Sequence, residues 1–244
     1  MNDETDQRLS GLPKPKRELL TTAIADAVAE AIATRHLNPG LRVVETTLAK
    51  TYNTSRVPVR EALKVLHTQG ILTGGGHRGY RVAEFTPEKV AQVTELRLVL
   101  ETIMWRDALL RWQRVGPDLS EAEEMIERMA FAARAGDFRG ILKCDLAFHR
   151  AICAQAENDI AYLCWDAIAR HTLIIFNLAR YRDRDLRAVV SRHRALLAWL
   201  RDHLDAPVDD DALRKVLADH MQGNRHTRPE GAQEDASAIR PVAE

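Results

Sequence analysis

The stretch Tyr52-Asn53-Thr54-Ser55-Arg56-Val57-Pro58-Val59-Arg60-Glu61-Ala62-Leu63-Lys64-Val65-Leu66 decides the fold of this chain. Ser55 is suited to cap a helix, and Pro58 falls in the first turn, where backbone N–H groups have no helical partner. At 100° per residue, four basic side chains lie within an arc of about 80°, namely Arg56, Arg60, Lys64 and His67. Apolar side chains fill the neighbouring arc. The stretch therefore predicts a helix with one packing face and one cationic face.

The excess of positive charge is local to this part of the chain. Between Thr46 and Arg81 there are six basic residues and one acid, whereas the whole chain has 35 of each sign and is neutral. A basic patch on an otherwise balanced chain is typical of a surface that meets phosphates. The cationic face is therefore predicted to bind nucleic acid.

The flanking sequence predicts the rest of a winged helix-turn-helix. Residues 46–52 form a short helix, and Asn53 and Thr54 make the turn into the recognition helix. Downstream, residues 71–73 and 80–82 are predicted strands joined by a basic, glycine-rich loop at 74–79. A strand at 41–44 is predicted to join this hairpin, which we interpret as a wing.

At residues 20–82 the chain resembles the winged helix of the GntR-type bacterial transcription regulators. The matching runs are Leu37-Asn38-Pro39-Gly40-Leu41, Ser55-Arg56-Val57-Pro58-Val59-Arg60-Glu61-Ala62-Leu63 and Gly79-Tyr80-Arg81-Val82. The resemblance implies that double-stranded DNA is the partner. Arg56 and Arg60 are the first candidates for base or phosphate contacts, and Lys64 and Arg78 are candidates for phosphate contacts. The expected DNA-binding residues are Thr46, Ser55, Arg56, Val57, Arg60, Lys64, His77, Arg78 and Gly79.

The character of the chain changes after residue 82. A brief linker at 83–85 leads into 86–222, where apolar residues recur with helical spacing and no convincing strand is found. We predict a mainly α protein: a flexible arm at 1–16, the winged helix at 17–82, and an all-α bundle of six or seven helices. Residues 223–244 show no periodicity and are predicted to be disordered.

Hydropathy, the N-terminal sequence and the cysteines bear on where the protein is located. No apolar run approaches the roughly 20 residues that span a bilayer, and the polar N-terminus does not resemble a secretory signal. The three cysteines, Cys144, Cys153 and Cys164, lack metal-type spacing and suit a reducing compartment. The sequence therefore predicts a cytoplasmic protein without a membrane partner.

Several polar side chains lie in the middle of apolar helix faces. Asp145 and His149 are four residues apart, so they share one face of a helix with apolar neighbours. His193 and His220 are also centred on apolar stripes. A buried carboxylate must be paired or coordinated, because leaving it alone in the core is costly. Imidazoles with one carboxylate suit a divalent transition metal, zinc first and nickel second.

Residues 86–222 resemble the all-helical FCD effector domain of the FadR-like branch of these regulators. The pattern appears as Leu96-Arg97-x-x-x-Glu101, Asp145-x-x-Phe148-His149, Asn158, His193 and His220. The resemblance implies that Asp145, His149, His193 and His220 hold a metal whose coordination a small carboxylate effector completes. Arg97 and Asn158 are candidate effector-binding residues, each with a structural role as the alternative. His171, on another apolar stripe, is a candidate to replace a ligand or to serve the effector.

Taken together, these patterns predict a homodimeric, ligand-responsive regulator and not an enzyme. Two winged helices would bind a pseudo-palindromic operator, and repression relieved by the ligand is the expectation that the family resemblance implies. Two alternatives remain open from the sequence. One is a metal-dependent enzyme built on the helical bundle, and the other is a metal-free regulator that senses a longer acyl ligand.

Overall fold

The computed structural model describes the backbone of residues 16–75, 79–180 and 185–222, and the side chains of 20–75, 79–175 and 185–221. The predicted tail at 223–244 lies outside the described residues, as do the wing-tip residues His77 and Arg78. The predicted arm at 1–16 lies outside them as well, except for Lys16, which begins the first helix.

Residues 16–83, which we call the head, contain three helices and a small sheet. The elements are α1 (Lys16–Ala33), β1 (Arg42–Val43), α2 (Glu45–Thr51), α3 (Arg56–Thr68), β2 (Leu72–Gly74) and β3 (Tyr80–Val82). Both β1 and β2 pair antiparallel with β3, so the strand order is β1-β3-β2, with Val43 opposite Tyr80 and Thr73 opposite Arg81. The predicted helix-turn-helix and wing are confirmed, and the predicted strand at 41–44 joins the wing as a two-residue strand.

Two positions with positive φ set the ends of α3, the predicted recognition helix. Asn53 has φ 48° in the turn between α2 and α3, a left-handed conformation that Asn adopts more readily than most residues. Gly70, with φ 72°, ends the helix and donates its N–H to the carbonyl of His67 at 2.9 Å. The chain then passes directly into β2, so the end of α3 also sets the start of the wing.

The apolar face of α3 forms the centre of the head. Val59, Leu63 and Leu66 are fully buried and pack in one cluster with Val28 and Ile32 of α1. Burying side chains of this size contributes roughly 1.5–3 kcal/mol each. The opposite face of α3 is thereby held toward solvent.

Residues 87–222, which we call the bundle, form six helices among the residues described, which matches the predicted six or seven. They are α4 (Pro87–Val115), α5 (Ser120–Ala135), α6 (Phe138–Cys153), α7 (Asp159–Arg180), α8 (Leu186–Asp202) and α9 (Asp210–Gln222). The Thr86 hydroxyl accepts the N–H of Lys89 at the start of α4, and Pro87 occupies its first position. Asp137 and Asp185 cap α6 and α8 in the same way.

The bundle core is formed mainly by aromatic and aliphatic side chains of α4 to α9. Helix α5 packs on α6, while α4 packs on both α7 and α9. Trp105, Phe148, Trp165 and Leu200 are almost completely buried. Several ionisable side chains lie inside this apolar core, and they form the candidate site described below.

The head and the bundle pack directly on each other. Helix α1 lies against α7, and Ile174 of α7 is fully buried within the core of the head. Salt bridges from Arg170 to Asp26 (2.8 Å) and from Lys143 to Glu30 (3.2 Å) cross the same boundary. Among the residues that the structure describes, no helix combines the length and apolar character of a bilayer span.

Candidate DNA-binding surface and metal centre

The solvent-facing side of α3 carries the predicted cationic residues. The side chains of Arg56, Arg60 and Lys64 are 59%, 46% and 56% exposed. Val57 lies beside them and is 49% exposed, which is unusual for an apolar residue in the middle of a charged face. An exposed valine methyl on such a helix is suited to contact a thymine methyl group.

Glu45 binds both arginines of this face. Its carboxylate accepts hydrogen bonds from Arg56 at 3.3 Å and from the Nε and Nη2 of Arg60 at 3.2 and 3.1 Å. The hydrogen bond from Arg60 holds the pKa of Glu45 below its usual value. The sequence-based charge count began at Thr46, one residue too late to include this acid. The cationic face is thus less positive than its sequence predicts, and both of its leading arginines are paired with one acid.

The remaining predicted DNA-binding residues occupy several positions around α3. Ser55 is at the N-cap position, but its side chain makes no capping hydrogen bond, so the capping role predicted for its hydroxyl is wrong. Thr46 is exposed at the start of α2, and Gly79 lies in the wing with φ 69°. Thr46, Ser55 and Arg56 line one shallow groove where α2 meets α3.

Four predicted metal ligands from three helices meet inside the bundle. Asp145 and His149 lie on α6, His193 on α8 and His220 on α9, and all four are buried. One possible ligand atom from each lies within 4.8 Å of the others. The described residues therefore contain a group that could hold a metal ion, and the sequence identified all four of its members.

Two of the imidazoles have an acceptor oxygen close to their Nδ1 atoms. The Nδ1 of His193 is 2.8 Å from the carbonyl oxygen of Val189, and the Nδ1 of His149 is 2.9 Å from a Glu101 oxygen. Both neighbours offer only acceptor atoms, and a proton on Nδ1 would leave Nε2 with the lone pair that a metal ligand needs. The Nε2 of His193 then faces an Asp145 oxygen at 3.1 Å. A carboxylate oxygen and an imidazole nitrogen placed this closely in an apolar core could share a metal ion.

The spacing of the donor atoms fits a transition metal. The Nε2 atoms of His149 and His220 are 3.1 Å apart, the same separation as that between His193 and Asp145. In tetrahedral coordination, metal–ligand distances of about 2.0–2.2 Å place neighbouring ligands roughly 3.3–3.6 Å apart, close to these two separations. The four candidate atoms as a set lie within 4.8 Å of one another. Burial lowers the pKa of His149 and lowers that of His220 well below 6.5, so both rings are neutral and able to ligate at physiological pH.

Glu101 lies beside the four candidate ligands, although its sequence pattern did not place it in the site. It is fully buried and accepts hydrogen bonds from Arg97 at 2.6 Å and from Trp165 at 3.0 Å, while its other oxygen faces His149. Burial alone would raise the pKa of Glu101, but Arg97 and His149 lower it to about 2. A signal was available in the sequence, because Arg97 and Glu101 are one helical turn apart on the buried side of α4.

The three predicted effector-binding residues are not gathered at the cluster. Arg97 is buried beside it, with its Nε on Glu101. Asn158 caps the start of α7 through a hydrogen bond from the Ala161 N–H, and its amide nitrogen donates to Asp107 at 2.8 Å. His171 lies apart from the four candidate ligands, at the boundary with the head. The contacts of Asn158 fit its alternative, structural role.

The comparisons with known proteins agree with this architecture. Residues 20–82 match the bacterial regulatory proteins of the gntR family, and residues 92–223 match the FCD domain. The "Probable D-xylose utilization operon transcriptional repressor" of Paenarthrobacter nicotinovorans is 27% identical over 225 residues, covering 92% of this chain and 95% of that protein. The HTH-type transcriptional regulator McbR of Escherichia coli (strain K12) is 25% identical over 223 residues, covering 88% and 96%.

Solved structures show the same fold. The structure titled "E. coli McbR/YncC" superposes with a TM-score of 0.68 at 24% identity, covering 84% of this chain and 94% of that chain. The matched families and relatives are transcription regulators and not enzymes, which removes the metalloenzyme alternative. The chain therefore belongs to the GntR family of bacterial transcription regulators and carries an FCD domain after its winged helix.

Proposed function

We propose that the protein is a homodimeric repressor whose affinity for a pseudo-palindromic operator is set by a metal and a small carboxylate effector in the bundle. The observation that carries the proposal is the convergence of three imidazoles and one carboxylate in the core of a DNA-binding protein. Because the target is chromosomal DNA, we place its action in the cytoplasm.

In this proposal the exposed face of α3 enters the major groove of each half-site. Arg56 and Arg60 lie in the first two turns of α3, the part of a recognition helix that contacts base edges. A bidentate arginine–guanine contact discriminates by roughly 1–3 kcal/mol. Lys64 lies further along the helix and is assigned to phosphate. The expectation that His77, Arg78 and Gly79 bring the wing to the backbone is kept as part of the proposal.

The metal would be held by Asp145, His149, His193 and His220. Nitrogen and oxygen donors in this ratio favour zinc, with nickel as the second candidate. When bound, the metal supplies a positive charge that attracts the carboxylate of an effector. Glu101 orients the His149 ring by accepting its Nδ1–H, as outer hydrogen-bond partners of metal-binding histidines commonly do. We assign Arg97 to holding Glu101 in place.

The proposal of a homodimer is supported by apolar side chains exposed on two neighbouring helices. Helices α4 and α7 pack side by side, yet Leu96 is 46%, Ile160 73% and Leu163 66% exposed. GntR regulators typically dimerise. A second copy packed on these helices would cover their apolar surface and set the spacing of the two recognition helices.

Metal content tests the proposal most simply. Protein exchanged into zinc and freed of loosely bound ions should retain close to one zinc per chain by mass spectrometry of the metal. His193→Gln should retain well under half of that, because one ligand is lost. His203→Gln is the matched control, since His203 lies at the end of the same helix, stacked on Trp199 and apart from the four ligands.

The result that contradicts the proposal is parent protein that binds no metal, or His193→Gln protein that binds as much as the control. Either outcome would favour the metal-free acyl-ligand alternative. A thermal-shift screen then addresses the effector. Small carboxylic acids are expected to raise the Tm of the zinc-loaded parent and to leave that of His193→Gln unchanged, because the charge that attracts them is missing.

A further inference from the structure

The carboxyl end of the recognition helix is held by side chains that come from the bundle. The Nζ of Lys89, on α4, donates to the carbonyl oxygen of Gly70 at 2.8 Å. His171, on α7, lies near enough to the backbone of Gln69 for that backbone to raise its pKa slightly, and Arg170 donates to the Gln69 side chain at 3.4 Å. Three side chains of the bundle thus meet the two residues at which α3 ends.

These contacts are suited to fix the position of α3. The Gly70 carbonyl lies just beyond the end of α3, and a cation at the carboxyl end of a helix interacts favourably with the helix dipole. Lys89 also lies over the Phe85 ring at 5.2 Å, and the same ring packs against His171 at 6.4 Å. The residues that hold α3 are therefore themselves held in place.

Helix α7 connects this point to the metal cluster. The Nε1 of Trp165 donates to one oxygen of Glu101 at 3.0 Å, and the other oxygen of Glu101 lies 2.9 Å from the Nδ1 of the candidate ligand His149. Trp165 is almost completely buried, so it cannot move without its neighbours. His171 follows six residues later on the same helix, about 9 Å along its axis at 1.5 Å per residue.

We propose that Lys89 and His171 are positioning residues for operator recognition, and that α7 couples them to the metal cluster through Glu101 and Trp165. The coupling rests on the proposed function, because it presupposes that the bundle binds a metal which changes operator affinity. The positioning of α3 does not rest on the metal. The two parts therefore have separate tests.

A second set of contacts across the same boundary provides the control. Arg139 and Lys143 of α6 form salt bridges with Glu30 of α1, and within the part of the chain that the structure describes none of these three side chains has a hydrogen bond or salt bridge to α3. Lys143→Met removes a cation that joins the bundle to the head, as Lys89→Met does, but leaves the end of the recognition helix untouched. Lys89→Arg restores a donor at the original position.

Fluorescence anisotropy with the operator duplex and with a scrambled duplex tests the positioning role in the full-length, metal-free protein. Lys89→Met should weaken operator binding about fivefold to tenfold while changing scrambled-duplex binding less than about twofold. Lys89→Arg should recover most of the loss, and Lys143→Met should match the parent. Equal losses on both duplexes would show a direct phosphate contact and overturn the positioning role, as would an unchanged operator Kd.

Trp165→Phe tests the coupling, because it removes the indole N–H and keeps an aromatic ring. The ratio of operator Kd values without and with zinc should fall from at least about fivefold in the parent to near one in the variant. Zinc content should stay unchanged. If Trp165→Phe protein keeps the same ratio of operator Kd values without and with zinc as the parent, the coupling is overturned. If the parent binds zinc but its operator Kd is the same with and without zinc, the metal response in the proposed function is refuted, and the coupling with it. The Lys89→Met comparison still decides the positioning role.

Discussion

At the scale of single residues, one carboxylate, that of Glu45, pairs with both arginines at the start of the recognition helix. Glu45 accepts hydrogen bonds from both Arg56 and Arg60, so it limits the directions in which their guanidinium groups can point. A guanidinium discriminates between bases only when its planar array of donors meets the base edge in a fixed orientation. Glu45 therefore lowers the positive charge of the surface, and we expect it to orient the two arginines that we propose to contact base edges.

Replacing Glu45 by Gln should reduce selectivity. The variant loses a negative charge near the phosphates, so binding to a scrambled duplex should become tighter, while operator binding gains less because the arginines are less constrained. The ratio of scrambled to operator Kd should fall by about fivefold to tenfold, equivalent to ~1–1.4 kcal/mol. Anisotropy titrations at a fixed salt concentration measure both values.

Glu61→Gln is the matched control for this change. Glu61 is also an acid on the exposed side of α3, but it pairs with Lys64 at 2.9 Å and not with the two arginines. The control should increase both affinities together. A selectivity ratio in Glu45→Gln protein that equals the parent's would contradict the orienting role of Glu45.

His171 links stability to pH. Burial, with a smaller effect from Lys89, lowers the pKa of His171 from 6.5 to about 4. Between these values the unfolded chain binds a proton that the folded chain does not, so the stability that His171 contributes above pH 6.5 is lost as the pH falls toward 4. His171→Gln should therefore lose less stability between about pH 7.5 and about pH 5, by roughly 2 kcal/mol.

Urea unfolding of the metal-free proteins at the two pH values measures this difference. Comparing parent and variant cancels the contributions of the other buried histidines, which are common to both. If the two proteins lose equal stability on acidification, the neutral, buried state assigned to His171 is incorrect.

At the scale of elements, the helices were predictable because their apolar spacing is a local property of the sequence. The wing strands and α3 also follow from short patterns of glycine, asparagine and alternating residues. The four candidate metal ligands were found because imidazole or carboxylate groups in the middle of apolar stripes are visible without knowing the fold. The start of α1 and the length of β1 differed by one or two residues, as helix and strand ends usually do.

Other contacts were not predictable, because they depend on how elements meet. Glu45 and Arg60 are 15 residues apart in the chain, and their pairing follows from the angle between α2 and α3. His171 appeared to be a ligand candidate because its apolar stripe resembles those of His193 and His220. Its stripe instead faces the head, a distinction that only the packing of α1 on α7 reveals.

The exposed apolar side chains of α4 and α7 lead to a prediction about assembly. Leu163→Asp should convert a dimer to a monomer, because the new carboxylate would lie unpaired in an apolar interface. Light scattering after size exclusion measures the mass. Operator affinity should fall steeply, since each monomer contacts only one half-site. Phe131→Asp, at an exposed apolar position on α5, is the control and should remain dimeric. A dimeric Leu163→Asp protein would place the interface elsewhere.

At the scale of the whole molecule, the chain combines a DNA-binding head and a bundle with a candidate metal site. The head contains the cationic recognition helix and the wing. The bundle provides a buried cluster of side chains that could hold a metal ion. Helix α7 extends from the neighbourhood of that cluster to the core of the head, where Ile174 is buried. The central claim is that the state of the cluster determines how tightly the recognition helices bind DNA.

The operator Kd of the parent protein, measured after metal removal by a chelator and again after zinc is restored, tests this claim most directly. We predict that the two values differ by at least about fivefold, the lower end of typical coupling between sites, and that restoring zinc reverses the change. His193→Gln should show no difference. Identical Kd values for metal-free and zinc-restored parent protein would contradict the claim.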